Sequence, residues 1–306
     1  MMMGDFPDYH VLAQLIQAAK AEDLGLGYGG AGDDVTSRLT IPQGRMGVGV
    51  LRLKEPGVVA GLPMVEMVCR AYDERLKVEM VAGLSMEQAE GRYFEGPTPL
   101  MRMAGPMRSL LSAERVVLNF VQRMSGVATL TRKFVQAGQG AKVYDTRKTV
   151  PGHRVLDKYA VVCGGGFNHR IGLYDAVFVK DNHLAGVGLG EMAGFLADVV
   201  GRARSEIAGA ESAVRQVVVE VDTLEQLAEV LKVKGVDVVL LDNMDCDTMR
   251  RAVGMRNASG SKAELEASGG VTLETIRAIA ATGVERISVG AMTHSARVLD
   301  VSLDVG

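Results

Sequence analysis

Between Tyr144 and Leu184 the chain gathers Asp145-Thr-Arg147-Lys148-Thr149, Cys163-Gly-Gly-Gly-Phe-Asn168-His169-Arg170 and Lys180-Asp-Asn-His183. Three of the five histidines lie in this stretch, with Arg147, Lys148, Arg154, Lys158, Arg170 and Lys180. A segment apolar enough to enter a core and this rich in cations suits a small molecule with several negative charges. Arginine grips carboxylate or phosphate through two parallel donors, and lysine acts as a point charge. Taken alone, Arg147 and Lys148 also fit a surface salt bridge with Asp145. Gly164-Gly165-Gly166 reads equally as an anion-binding nest or as a flexible turn. His169 and His183 lack the carboxylate–histidine spacing of a zinc site, so hydrogen bonding to a substrate is the expected use.

Downstream, Glu220 and Asp242 supply carboxylates, with Asp222 a weaker candidate. In a cation-lined site they neutralise Arg170 or Lys180, or hold Mg²⁺ against a phosphate-rich substrate. For Glu220 the alternative is an ordinary exposed strand end. Ser268-Gly269-Gly270 and Ser288-Val289-Gly290-Ala291 are small-residue turns late in the chain, where α/β barrels place a phosphate site. A sugar bearing phosphate and pyrophosphate, meeting a carboxylated acceptor, would use all three groups of residues.

The elements that position these residues follow from periodicity. Tyr9–Glu22 predicts a helix, with Leu12, Leu15, Ile16 and Ala19 at helical spacing. A glycine-rich loop, 25–32, follows, then short strands at 46–54 and 58–60, and strand and turn over 91–106. Leu110–Met124 predicts a second helix, capped by Ser109 or Ser112, with Arg115, Asn119 and Gln122 on a polar face. From there the rhythm becomes strand, loop, helix. The strands are 141–144, 176–179, 216–219, 236–241, 264–267 and 286–289, with helices such as 224–234 and 273–282, the latter capped by Thr272. Asp145, Lys180, Glu220, Asp242, Ser268 and Gly290 stand at or near the strand ends. Polar groups at every such end fit a barrel rim, whereas a doubly wound sheet would concentrate them at one switch point. The expected fold is an incomplete, open α/β barrel of about six strands over residues 119–294. An N-terminal α+β sandwich occupies 1–118, and a segment at 295–306 returns to it.

Size and composition set the remaining bounds. The 306 residues are 47% hydrophobic and 23% charged, with a net charge of -3, which gives no electrostatic case for nucleic acid or a membrane surface. Cys69, Cys163 and Cys246 match no zinc or disulfide pattern and read as reduced thiols. The N-terminal residues carry acid where a signal peptide needs base, and no apolar run approaches the length of a spanning helix. A cytoplasmic location is expected.

These motifs resemble the quinolinate phosphoribosyltransferase family, nicotinate-nucleotide pyrophosphorylases of NAD biosynthesis. The match runs through Asp145–Gly152, Lys158-Tyr-Ala, Cys163–Asp175, Lys180–His183, Glu220-Val-Asp222, Leu241–Met244, Glu266–Gly270 and Ser288–Ser295. It extends upstream through Gly32–Ser37, Ser112–Arg115, Asn119-Phe and Gln122–Thr129. The resemblance implies a homodimer or homohexamer in which Arg115 reaches a neighbouring subunit's site. There it joins Arg147, His169, Arg170 and Lys180 around quinolinate. Lys148 and Lys180 face the pyrophosphate of phosphoribosyl pyrophosphate. Glu220 and Asp242 serve the ribose and Mg²⁺, while Ser268, Gly270, Gly290 and His294 surround the phosphate. Arg297 departs from the pattern, standing where the family tends to have proline or a small residue. Two rivals remain: a same-fold pyrophosphorylase with another acceptor (a molybdenum-associated relative or a nicotinate phosphoribosyltransferase), and a non-catalytic barrel that binds phosphorylated metabolites.

Overall fold

Residues 6–7, 9–27, 29–209 and 213–306 are described by a computed structural model. Most of the stretch read for a targeting signal (residues 1–5 and 8) lies outside them, as does position 28 of the glycine-rich loop. In chain order the elements are α1 (Tyr9–Leu24), α2 (Val35–Thr40), β1 (Met46–Leu53), β2 (Gly57–Val58), α3 (Leu62–Tyr72), β3 (Lys77–Met80), α4 (Met86–Ala89), β4 (Tyr93–Phe94), β5 (Thr98–Pro106) and α5 (Met107–Ala137). They continue as β6 (Lys142–Tyr144), α6 (Arg154–Cys163), β7 (Val177–Val179), α7 (Leu189–Ile207), β8 (Val217–Val221), α8 (Leu224–Val230), β9 (Val238–Asp242), α9 (Cys246–Ser259), β10 (Glu264–Ser268), α10 (Ile276–Ala280), β11 (Arg286–Ser288), α11 (Ala291–His294) and β12 (Val301–Val305).

Two compact units result. The first holds Met1–Arg132, Val150–Gly165 and Ala296–Gly306; the second holds Lys133–Thr149 and Gly166–Ser295. These ranges differ from the expected division at residue 118. The long helix α5 carries the first unit on to Arg132, and the excursion 150–165, read above as part of the cationic segment, belongs to that unit too.

In the first unit, an antiparallel sheet runs β12-β1-β5-β3. Leu51 and Leu53 of β1 alternate inward and are fully buried, as the period of two requires. α3 begins at Gly61, whose φ of 94° suits glycine, and the Glu90 carboxylate accepts the Gly61 and Leu62 N–H groups at 2.6 and 3.1 Å. α5 is a turn longer than expected at its start and extends thirteen residues further. Neither serine caps it: Ser109 Oγ bonds Asp73, and Ser112 Oγ bonds Arg108 O and Asp34. On α5, Gly126 has a structural reason, because a Cβ there would lie 2.1 Å from the Arg297 carbonyl oxygen. The side chain of Arg297 grips Glu55 through both terminal nitrogens, at 3.0 and 2.5 Å. α6 docks by the Arg123–Asp157 ion pair, with Asp157 fully buried. Gly164 closes α6, where a Cβ would strike Ala128 O at 2.4 Å, so this glycine is a tightly packed helix end. Cys69 and Cys163 are buried and Cys246 half-buried, all as free thiols.

In the second unit, six strands form one parallel sheet in the order β6-β11-β10-β9-β8-β7. The first two strands in sequence are its two edges, so the barrel is open. β8 (Val-Val-Val-Glu-Val) is buried along its length and β9 nearly so, which is why both read as continuous apolar runs. α8 starts on a capping box between Thr223 and Gln226, and α9 runs from an Asp245 cap to Gly260 at φ 73°. α8 ends at Val230 rather than at 234. α10 starts at Ile276 rather than 273, because Thr272 and Thr275 bond each other in a turn and Thr272 caps no helix. No helix of the described residues is long and apolar enough to cross a membrane.

Candidate active site

Alternation along the six parallel strands puts residues of one parity on one face. Register pairing ranks them in layers. Phe178, Val218, Val238 and Glu264 form the lowest, followed by Arg286, Glu266, Leu240 and Glu220. Tyr144, Ser288, Ser268 and Asp242 form the next, toward the carboxyl ends. Phe178 packs against the apolar floor of Val218, Val238 and Leu240. The carboxylates and serines therefore stand where strand pleating aims them, at the end of the sheet where α/β barrels carry chemistry. Glu220, Asp242 and Ser268 are still inside their strands rather than just beyond them, because β8, β9 and β10 end one or two residues later than their patterns suggested.

The cations converge on Phe178. The Arg170 guanidinium carbon and the Lys180 ammonium each lie 4.8 Å from its ring centroid, and the His169 ring is 5.5 Å away. Lys180 Nζ donates to Glu220 Oε2 at 2.7 Å, with Glu220 nearly buried. Burial pulls the Arg170 pKa down, and the neighbouring Arg147 guanidinium adds to the effect. Two guanidinium groups held close together favour an anion that bridges them. His169 is held from three sides. Its backbone N–H donates to the buried Asp145 at 2.8 Å, its Nδ1 accepts Arg170 N–H at 2.7 Å, and its Nε2 is 3.4 Å from Glu266. His183 Nδ1 accepts the Lys180 N–H at 3.0 Å and so serves the local turn (Asp181–His183).

The phosphate-type turns gather likewise. A Cβ on Gly290 would come within 3.2 Å of both the His294 ring and Lys148 Cδ, so both side chains pack close to this glycine. Thr293 Oγ1 donates to Lys148 O at 2.8 Å and ties α11 to the strand-end loop of β6. Gly270, at φ 58°, faces open space. Gly269, at φ 94°, packs against Asn243, whose amide donates to Asp242 at 2.8 Å. A Cβ there would sit 2.1 Å from Asn243 Oδ1. Gly269→Ala is therefore expected to cost about 2–4 kcal/mol from the left-handed backbone and the displaced asparagine. An unchanged melting temperature in calorimetry would contradict this.

All the candidate residues except Arg115 thus lie in the second unit. Arg115 sits on the exposed face of α5 in the first unit. Residues 127–304 match the family model described as quinolinate phosphoribosyl transferase, C-terminal domain, and residues 34–125 match its N-terminal domain. The chain belongs to this family. It is 39% identical to the nicotinate-nucleotide pyrophosphorylase [carboxylating] of Mycobacterium leprae (strain TN), over 97% of this chain and 98% of that one. A probable nicotinate-nucleotide pyrophosphorylase of Bacillus subtilis (strain 168) is 36% identical, over 96% and 93% of the two chains. The crystal structure of NadC from Streptococcus pyogenes superposes with a TM-score of 0.84 at 31% identity, covering 99% and 98%.

Glu220 and Asp242 by themselves offer at most two carboxylates to a metal. Among the described residues no three histidine, cysteine, aspartate or glutamate side chains cluster to hold an ion, and Glu220 is already paired with Lys180. One or two carboxylates completed by substrate phosphates is the usual Mg²⁺ arrangement. Sequence reasoning missed Phe178, Glu266 and Arg286. Phe178 looks like any core residue. Glu266, however, shares the parity of Glu264 and Ser268, a legible sign that it faces the same way.

Proposed function

We propose that this chain transfers the phosphoribosyl group of 5-phosphoribosyl 1-pyrophosphate to quinolinate in de novo NAD biosynthesis, as a decarboxylating pentosyltransferase, EC 2.4.2.19. The pyridine nitrogen bonds to C1 of the ribose as the bond from C1 to pyrophosphate breaks. The 2-carboxylate then leaves as CO₂, and the carbon it leaves takes a proton from water, giving nicotinate mononucleotide. No side chain is needed to move that proton. The observation that carries the reading is the cation cluster around Phe178, with its Lys180 paired to Glu220 at 2.7 Å.

In this reading Arg147, Arg170 and Lys180 meet the two quinolinate carboxylates, with His169 beside them and Arg115 supplied by a second copy in a homodimer or homohexamer. Opposing charges there offset the mutual repulsion of two carboxylates and a pyrophosphate. Lys148 and Lys180 face the leaving pyrophosphate. Glu220 and Asp242 flank the ribose, where negative charge favours the oxocarbenium-like transition state. Mg²⁺ held by Glu220 and Asp242 together with the pyrophosphate would neutralise charge on the leaving group. Ser268, Gly270, Gly290 and His294 surround the 5-phosphate. Free cysteines accord with a reducing, cytoplasmic compartment.

The test is an assay of quinolinate with phosphoribosyl pyrophosphate and Mg²⁺, following CO₂ and pyrophosphate. Both products in equal amounts are expected. Turnover of nicotinate without CO₂ release from quinolinate would favour the same-fold relatives, and binding without pyrophosphate release would favour a non-catalytic barrel.

A further inference from the structure

Beneath the rim lies a charged pair that the reading above does not use. Glu266 and Arg286 are register partners on β10 and β11, fully buried and 3% exposed. Arg286 Nε is 2.7 Å from Glu266 Oε2, and its guanidinium lies over the Tyr144 ring at 3.9 Å from the centroid. Glu266 Oε1 and His169 Nε2 lie 3.4 Å apart, a charge contact and not a hydrogen bond. Burial raises the Glu266 pKa, while Arg286 and Ser288 act against that rise. A buried ion pair is weak grounds for stability, since a neutral pair of similar volume does as well. Its position explains it better. Nδ1 of His169 accepts the Arg170 backbone N–H, so the proton of a neutral ring sits on Nε2, the nitrogen nearest Glu266. A carboxylate behind an imidazole fixes both tautomer and ring orientation.

We propose that Glu266 and Arg286 are positioning residues for the quinolinate end of the site: Glu266, with Arg286 as its counter-charge, sets the charge facing His169 Nε2, which favours the ring state whose Nδ1 accepts the Arg170 backbone N–H and so places Arg170 beside Phe178. This rests on the reading that Arg170 meets a substrate carboxylate. His169 then works by holding Arg170, not by donating to the substrate. Arg286 also joins the Tyr144 ring to the pair, so the strand end that leads to Arg147 is braced by the same group.

The test uses the full chain and both substrates. In Glu266→Gln/Arg286→Gln the charges go together while two amides can still bond. KM for quinolinate is expected to rise about tenfold or more, the scale of losing an orienting partner, with KM for phosphoribosyl pyrophosphate within about twofold. His169→Asn, whose side-chain oxygen can still accept the Arg170 backbone N–H, is expected to raise KM for quinolinate less than His169→Leu does. Equal changes in both KM values, or no change in a folded double variant, would overturn the proposal. So would His169→Asn failing as badly as His169→Leu. Should the double variant not fold, the two His169 variants decide alone. Wild-type protein that releases no CO₂ from quinolinate would overturn the function proposed above and this inference with it. Wild-type turnover with indifferent variants overturns only the inference.

Discussion

Replacing Lys180 by methionine is expected to lower kcat about 10²–10³-fold, the usual loss when one preorganised group facing developing charge is removed. The ammonium is the hinge of the site. It lies 2.7 Å from Glu220 and 4.8 Å from the Phe178 ring centre, and it is 40% exposed where Glu220 is 10% exposed, so part of it remains open to solvent. Methionine keeps the apolar stem against Phe178, so the loss reads out charge rather than packing. Two roles are separable. If Lys180 serves mainly to neutralise Glu220, then Lys180→Met/Glu220→Gln recovers most of the rate. If it stabilises charge on the leaving pyrophosphate, the double variant stays slow, and this second result is expected. Retention of more than about half of kcat by the single variant, at saturating substrates, would refute a role in transition-state stabilisation.

How much of this was legible in the sequence depends on the range of the forces involved. β8 and β9 are read easily because a strand buried on both faces must be a run of valine and leucine, and their polar ends then stand out. Glu220, Asp242 and Ser268 emerge from that pattern alone. The convergence of Arg170, Lys180 and His169 on Phe178 does not, because it depends on β7 lying beside β8, a pairing across about forty residues. Glu266 and Arg286 were hidden for a different reason. Charged residues in mid-strand argue against burial until each is known to face the other, and that knowledge is the register of β10 on β11. That 150–165 packs into the first compact unit was not legible, because its cations resemble those around it. Asp157 and Cys163, which tie it to Arg123 and Glu90, carry no local mark of their distant partners. The extent of α5 escaped for a more local reason. Its last turns, 125–137, mix serine, glycine and threonine with buried apolar residues, a composition that reads as a loop until the packing around Gly126 is seen.

The second large effect tests how many chains make one site. Arg147 is half-buried, and its guanidinium lies close enough to Arg170 to help lower that residue's pKa. An arginine so placed gains from a carboxylate and little else, so Arg147→Ala should cost about 2–4 kcal/mol of substrate and transition-state binding, or 30- to 1,000-fold in kcat/KM. Arg115 is exposed on α5 and belongs to the other compact unit. If it completes the site of a second copy, Arg115→Ala alone should be as damaging. Mixing then distinguishes the arrangements by arithmetic. In a two-fold dimer with random exchange, half the dimers pair one variant chain with the other, and each of those has one site with both arginines and one with neither. Equal mixing of two nearly inactive variants should therefore restore about a quarter of wild-type activity. A site built from a single chain can gain nothing by mixing. Labelled subunits would report exchange by mass, and verified exchange without recovery would confine the site to one chain and leave Arg115 without a part in it.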